Sequence, residues 1–105
     1  MGRLLNANEF FYIVKGVSSA GTAEQVAAYQ IPDGLEVNIT ARRSNTQNMY
    51  VADSQTNAQT SANRKQLIPS QSTSLRIDNT NRIWVDADNT SDRLEITVQQ
   101  IPSTV

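Results

Sequence analysis

The chain contains two similar stretches, and this internal repeat constrains its fold more than any other feature. Residues 45–53 read Asn-Thr-Gln-Asn-Met-Tyr-Val-Ala-Asp, and residues 79–87 read Asn-Thr-Asn-Arg-Ile-Trp-Val-Asp-Ala. Each copy combines a turn with a short strand that carries one aromatic residue, and each follows an Ile-Pro pair and an alternating apolar strand. Two such β units within 105 residues predict one small domain with a single core.

Apolar and polar residues alternate along most of the predicted strands, which is the pattern of a strand with one buried face. The clearest strand covers 35–41. The other predicted strands are 10–15, 24–30, 47–53, 73–78, 83–87 and 94–98, and the last three are expected to form a meander. Residues 24–30 also fit a short helix, but we favour an edge strand. Seven or eight short strands predict an antiparallel β-sandwich or jelly roll, with a long exposed loop at 54–66.

The composition excludes several classes of function. Asn, Gln, Ser and Thr supply 39 of the 105 residues, and 9 basic against 10 acidic side chains leave a net charge of -1. Without a basic cluster, nucleic acid is not an expected partner. The chain has no histidine and no cysteine, so it lacks the usual general base, thiolate nucleophile and zinc ligands. We therefore expect no enzymatic activity, no cofactor and no metal.

The chain divides into a polar N-terminal arm, residues 1–9, and a single β-sandwich domain, residues 10–105. The apolar run at residues 10–14 is shorter than a signal-peptide core or a membrane span. We therefore expect synthesis in the cytoplasm and no membrane partner.

One acidic segment imitates the start of a calcium-binding loop. Asp86, Asp88, Asn89 and Asp92 place oxygen ligands close together, but Ser91 stands where such loops need glycine. Asp and Asn are also typical turn residues because their side chains accept hydrogen bonds from nearby backbone N–H groups. We interpret this segment as a hairpin turn.

Two aromatic residues and two arginines are candidates for contact with a partner. Tyr50 and Trp84 occupy matching positions of the repeat, and alternation places them opposite the core residues beside them. If that sheet face is open, the two rings form a contact surface; alternatively, loops or the arm cover them. Arg42 and Arg43 could clamp an anion, although a charge pair at a strand end is usually just solvated.

The order of these motifs resembles the small β-sandwich virion proteins of tailed bacteriophages, particularly head-decoration proteins. The likeness spans about residues 17–98 and is carried by four motifs: Ile31-Pro32-x-Gly34, Asn45-Thr46-x-x-Met49-Tyr50-Val51, Leu67-Ile68-Pro69 and Ile83-Trp84-Val85-x-Ala87. Proteins of that family commonly have glycine at four positions where this chain has Gln47, Ala52, Ser70 and Ser91.

The resemblance implies a structural protein, not an enzyme, that binds the lattice of a major capsid protein, often as a homotrimer. Such a protein is made in the host cytoplasm and resides on the capsid surface of the virion. The alternative is a carbohydrate-binding or adhesin module of a tail or surface fibre, in which both aromatic rings stack on sugars. The candidate contact residues are Arg3, Leu4, Leu5, Phe10, Arg42, Arg43, Tyr50 and Trp84.

Overall fold

The computed structural model describes the backbone of residues 3–4 and all of residues 11–101. These residues form ten β-strands, a one-turn α-helix and a 3-10 turn. The strands are β1 (Arg3–Leu4), β2 (Tyr12–Lys15), β3 (Glu24–Gln25), β4 (Tyr29–Gln30), β5 (Leu35–Ala41), β6 (Met49–Ala52), β7 (Lys65–Leu67), β8 (Ser72–Leu75), β9 (Trp84–Ala87) and β10 (Leu94–Gln100). The helix α1 is Gln55–Ala58, and the 3-10 turn is Thr80–Arg82.

Eight of these strands form two four-stranded antiparallel sheets. Sheet I has the order β2-β10-β5-β8, and sheet II has the order β3-β9-β6-β7. Within this set of eight, the first strand pairs with the last, the second with the seventh, the third with the sixth and the fourth with the fifth. That nested pairing is the topology of a jelly roll. The predicted antiparallel β-sandwich or jelly roll is therefore confirmed.

The sequence repeat has a direct structural counterpart. In each half, the alternating strand before the copy joins sheet I and the strand within the copy joins sheet II: β5 then β6, and β8 then β9. The related strands pair side by side, β5 with β8 and β6 with β9. In the second pair, Val51 lies opposite Val85 and Met49 lies opposite Ala87, so the apolar residues of both copies face the same side. The repeat thus builds the centre of the sandwich.

The core lies between the two sheets because alternate residues of each strand point inward. In sheet I, Val37, Ile39 and Ala41 are fully buried, and Leu94 and Ile96 face them from β10. Sheet II contributes the inward residues of β6, β7 and β9, with Ile83 just before β9. Side chains from both sheets thus form one continuous cluster.

The two lateral sides of the sandwich differ. Between the edge strands β2 and β3, Lys15 Nζ lies 2.8 Å from Glu24 Oε1 and bridges the two sheets. On the other side, Lys65 of β7 and Leu75 of β8 line a cleft of about 670 Å³ that reaches the core residues Val51 and Ile83. This cleft extends across the end of sheet II to Trp84 of β9 and Gln25 of β3. Among residues 11–101, an ion pair therefore bridges the two sheets on one side of the sandwich, and none bridges β7 and β8 on the other.

Three expectations need correction. The three last strands do not form a meander, because β8 and β10 lie in sheet I and β9 lies in sheet II. Segment 54–66 is not simply an exposed loop: it contains α1, capped by the Ser54 hydroxyl, and the buried Ala58. The edge strand favoured for 24–30 is divided into β3 and β4, which join different partners.

The structure describes two residues of the predicted arm, Arg3 and Leu4. Arg3–Leu4 pairs in parallel with Tyr29–Gln30, so the backbone of β1 runs beside β4. Leu5 and Phe10, the other two contact candidates of this region, lie outside the described residues.

Candidate functional site

Tyr50 and Trp84 lie on the same outer face of sheet II, as alternation along the strands predicts. Tyr50 is paired with Asp86, and Trp84 with Ala52, whereas the flanking residues Ile83 and Val85 are buried at 1% and 0% exposure. Trp84 is partly exposed. The predicted division between core residues and outward aromatic residues is confirmed, but the environments of the two rings differ.

Tyr50 is covered, so it is not part of an open contact surface. Its exposure is 7%, and the Arg64 guanidinium carbon lies 3.5 Å from the centre of its ring. The hydroxyl donates to Asp88 Oδ2 at 2.7 Å. Burial, followed by this hydrogen bond, raises the pKa of Tyr50 above its usual range. Of the two alternatives for Tyr50, an open contact surface or a covered ring, the structure shows the covered ring.

The cover over Tyr50 is the segment of residues 54–64, which we call the α1 cover. It is fixed to the segment before β3, since Ala23 N donates to Gln59 Oε1 at 2.8 Å and Gln55 Nε2 donates to Ala23 O at 3.2 Å. At its other end, Arg64 donates to Ala58 O at 3.2 Å. These contacts hold α1 against the outer face of sheet II.

A buried carboxylate lies beneath the α1 cover. Asp86 is 2% exposed and accepts hydrogen bonds from Gly21 N at 3.0 Å and Ala87 N at 2.8 Å. Arg64 Nη1 lies 3.8 Å from its other oxygen. Sequence reasoning missed this arrangement, although an acid between Val85 and Ala87 in the strand was a usable signal. Asp86 and Arg64 therefore have a structural role: their ion pair joins the α1 cover to β9.

Trp84 lies at the cleft between β7 and β8. The inner wall is apolar and consists of Val51, Leu75, Ile77 and Ile83, while polar side chains including Gln25 and Lys65 also line the cleft. Its volume of about 670 Å³ is within the range of ligand pockets. The sequence indicated the Trp84 ring, but it did not indicate the cleft, because the residues that form it come from both sheets.

Arg42 and Arg43 line one pocket together with Ser44 and Glu95. Arg42 Nε lies 3.2 Å from Glu95 Oε2, and Tyr12 donates its hydroxyl to the same oxygen at 2.7 Å. The Tyr12 bond, with a further contribution from Arg42, lowers the pKa of Glu95, and the same cluster raises the pKa of Arg42. Arg43 is exposed. Arg42 is thus already paired with a carboxylate of this chain.

Beside this cluster lies an apolar surface that sequence reasoning did not single out. Tyr12 is 44% exposed and Val14 is 39% exposed, both on the outer face of β2. Their alternation with the buried or partly buried Phe11 and Ile13 was the available signal. Large exposed apolar residues are candidates for protein contact when they lie together on one face.

The acidic segment 86–92 forms a turn, as interpreted, but this turn joins β9 of sheet II to β10 of sheet I and is not a hairpin. Its oxygens accept backbone hydrogen bonds. Asp92 accepts from Thr46 N at 3.0 Å and Gln47 N at 2.9 Å, and Asn89 accepts from Ser91 N at 3.0 Å. Among the residues that the structure describes, no group of three or more His, Cys, Asp or Glu side chains is placed to hold a metal ion.

No helix in the described part of the chain is long and apolar enough to cross a membrane. Comparison of the chain with protein-family models, with curated proteins and with solved structures gave no significant match.

Proposed function

We propose that this chain is a structural virion protein that binds and stabilises an assembled phage capsid as a head-decoration protein. The observation that carries the proposal is the outer face of sheet I, which combines a hydrogen-bonded polar array with the exposed pair Tyr12 and Val14. The resemblance to head-decoration proteins supplies the partner, a major capsid protein lattice. The protein would be made in the host cytoplasm and act on the capsid surface.

The polar part of this face is made of short side chains that bond to one another. Thr40 Oγ1 lies 2.7 Å from Ser72 Oγ, and Ser74 donates to Asn38 Oδ1 at 3.3 Å. Neutral groups cost less to remove from water than charges, and groups that are already ordered lose less entropy on binding. This face can therefore pack against a flat partner at a modest cost.

The charges of the face are largely balanced within it. Glu95 is paired with Arg42, and Glu36 accepts from Gln99 at 3.2 Å with Arg76 3.8 Å away. The net charge of -1 imposes little repulsion between neighbouring copies. Both features suit a protein that occupies many equivalent positions on one shell.

The apolar part of the face supplies the anchors. Tyr12 and Val14 stand at the edge of the polar array, next to Arg42, and aromatic and arginine side chains are frequent anchors of protein interfaces. A stable interface requires about 800 Å² from each partner, which is more than these residues provide alone. We therefore propose that several copies, most simply a trimer around a local symmetry axis, engage the lattice together.

Binding of this kind stabilises the shell by mass action, because a ligand that binds only the assembled state shifts the equilibrium toward assembly. The test is co-sedimentation of the purified protein with expanded capsids of a tailed bacteriophage. Val14→Lys is expected to weaken binding at least about tenfold, or about 1.4 kcal/mol. The folded state should tolerate this lysine, since Val14 is paired with Glu95.

The matched control is Ile68→Lys, which places the same charge at a residue of 50% exposure outside sheet I. It should bind capsids as the native protein does. Absence of saturable binding by the native protein, or equal loss in both variants, would contradict the proposal.

The alternative, a carbohydrate-binding or adhesin module, is favoured by Trp84 at a cleft that Gln25 also lines. Because Tyr50 is covered, Trp84 is the one aromatic ring that the described residues offer in this cleft for stacking. Retention of the protein on immobilised glycans without binding to capsids would favour this alternative.

A further inference from the structure

We propose that the cleft between β7 and β8 is a peptide-binding groove, in which an extended segment of the capsid partner pairs with the free edge of β8 and inserts apolar side chains between the sheets. This inference rests on the capsid-binding function for the identity of the partner. Two independent features of the structure point to it, the direction of backbone groups along β8 and the apolar wall beside them.

The hydrogen bonds at the start of β8 show which backbone groups face outward. Ser70 N donates to Ala41 O at 2.9 Å and Ala41 N donates to Gln71 O at 2.9 Å, which is a β-bulge with two residues opposite Ala41. The next pair in this register, Ile39 with Thr73, is therefore a hydrogen-bonded pair, and so is Val37 with Leu75.

It follows that Thr73 and Leu75 use their backbone groups to bond β5. The N–H and C=O groups of Ser72 and Ser74 then point away from β5, toward the edge of sheet I, where the described residues provide no further strand. Such a row of unpaired groups is a template for another extended chain.

The side chains beside this edge give the groove its apolar character. Thr73 and Leu75 face inward from β8, and Ile77, Val51 and Ile83 extend the same wall. A strand added next to β8 would place alternate side chains against this wall. It would also close the lateral side on which the described residues form no counterpart of the Lys15–Glu24 bridge.

The charge at the mouth indicates one further property of the segment. Two cations, Lys65 and Arg82, and one carboxylate, Asp53, line the cleft. Arg82 is paired with Asp78, whereas no carboxylate of the described residues is paired with Lys65, so the lining has an excess of positive charge. A segment with apolar residues at alternate positions and a carboxylate near its end would match both features. The occupant is therefore an extended, alternating and weakly acidic peptide rather than a sugar or a helix.

The test uses a synthetic peptide in which threonine alternates with leucine and valine and one glutamate closes the C-terminal end. Trp84 is the single tryptophan of the chain and lines the cleft, so its fluorescence reports binding directly. We expect saturable binding, together with slower hydrogen exchange at the amides of Ser72 and Ser74. An unchanged exchange rate at these two amides would overturn edge pairing.

Two controls separate strand pairing from general apolar binding. A peptide with N-methyl groups on the amides that face β8 keeps its side chains and loses its donors, and it should bind at least about tenfold more weakly, or about 1.4 kcal/mol. Ser74→Pro should show a similar loss, because proline removes an outward N–H without breaking the bonds to β5. Ser74→Ala retains the N–H and should bind like the native protein.

Equal binding of the N-methylated and unmodified peptides would overturn the proposal, and it can be measured on the native protein even if Ser74→Pro fails to fold. The peptide assay contains no capsid, so its outcome is separate from that of the co-sedimentation assay. Capsid binding without peptide binding would leave the decoration function standing and remove this groove from it.

Discussion

At the scale of single residues, Ser70 has a backbone conformation that favours glycine. Among the described non-glycine residues, Ser70 has the positive φ, 76°, at the bulge before β8. Gln47, Ala52 and Ser91, the other three positions at which the resemblance to head-decoration proteins leads one to expect glycine, do not have a positive φ. The backbone therefore favours glycine at position 70 and gives glycine no such advantage at the other three.

This difference predicts opposite effects of two matched substitutions. The left-handed conformation costs an L-residue about 1 kcal/mol or more, whereas glycine loses up to about 1 kcal/mol more entropy on folding. Ser70→Gly is therefore expected to raise the free energy of unfolding by about 0.5 kcal/mol, and Ser91→Gly to lower it by about the same amount. Urea denaturation measures both, and a loss of stability in both variants would refute the explanation.

Ile83, just before β9, and Trp84, the first residue of β9, are expected to contribute different amounts to stability because one is buried and the other is partly exposed. Ile83→Ala removes a side chain of 1% exposure and leaves a cavity, which should lower the free energy of unfolding by about 3 kcal/mol. Trp84 is partly exposed at the cleft, and Trp84→Ala should cost about 1 kcal/mol. Equal and large losses in urea denaturation would mean that the tryptophan belongs to the core.

At the scale of elements, the bridge between β2 and β3 makes stability depend on pH. The hydrogen bond from Lys15, with another from Ser18 N, lowers the pKa of Glu24 from 4.5 to about 2. A carboxyl group whose pKa is lower in the folded state than in the unfolded state stabilises the fold at pH values above its unfolded-state pKa. The contribution of Glu24 is therefore lost as pH falls through 4.5 toward about 2. Glu24→Gln should therefore flatten the fall in stability over this window.

Thermal unfolding at several pH values between 2 and 6 measures this effect, with Asp33→Asn at an exposed turn as the control. The lowered pKa values of Glu95 and Asp78 act in the same direction, so the stability of both variants still depends on pH to some extent. A pH profile of Glu24→Gln identical to that of the native protein would contradict a stabilising bridge.

The α1 cover gives a second prediction at this scale. Arg64→Met removes the cation from the Tyr50 ring and leaves the buried Asp86 without its positive neighbour. Unpaired buried charge is costly, and we expect a loss of about 2 kcal/mol in the free energy of unfolding. Lys65→Met, one residue later at an exposed position, should stay within about 0.5 kcal/mol. Similar urea midpoints for the two variants would show that the cover does not depend on Arg64.

The elements also show where sequence reasoning succeeds and where it stops. Alternation placed β5, β9 and β10 and the inward direction of their apolar residues, because that pattern is local and set by burial. Alternation could not assign strands to sheets, because a turn of Asn and Asp residues can form a hairpin or connect one sheet to the other. Over the last three strands, the chain passes from sheet I to sheet II and back. The α1 cover was missed because its contacts join residues distant in sequence.

At the scale of the whole molecule, the repeat explains the architecture. Two copies of a strand–turn–strand unit pair with each other in both sheets, and the remaining strands extend each sheet to four. The sequence therefore predicted the fold class. The candidate site was predicted in part: Trp84 lies at a cleft and Arg42 beside an exposed apolar pair, whereas Tyr50 is covered and the sheet I outer face went unnoticed because its polar residues look like ordinary surface.

The central claim, that this jelly roll is a capsid-binding module, is tested most directly by electron cryomicroscopy of capsids incubated with the purified protein. We expect additional density of jelly-roll size at local symmetry axes of the shell, with three copies around each axis and the outer face of sheet I turned toward the major capsid protein. Capsids that show no additional density at saturating protein concentration would contradict the claim.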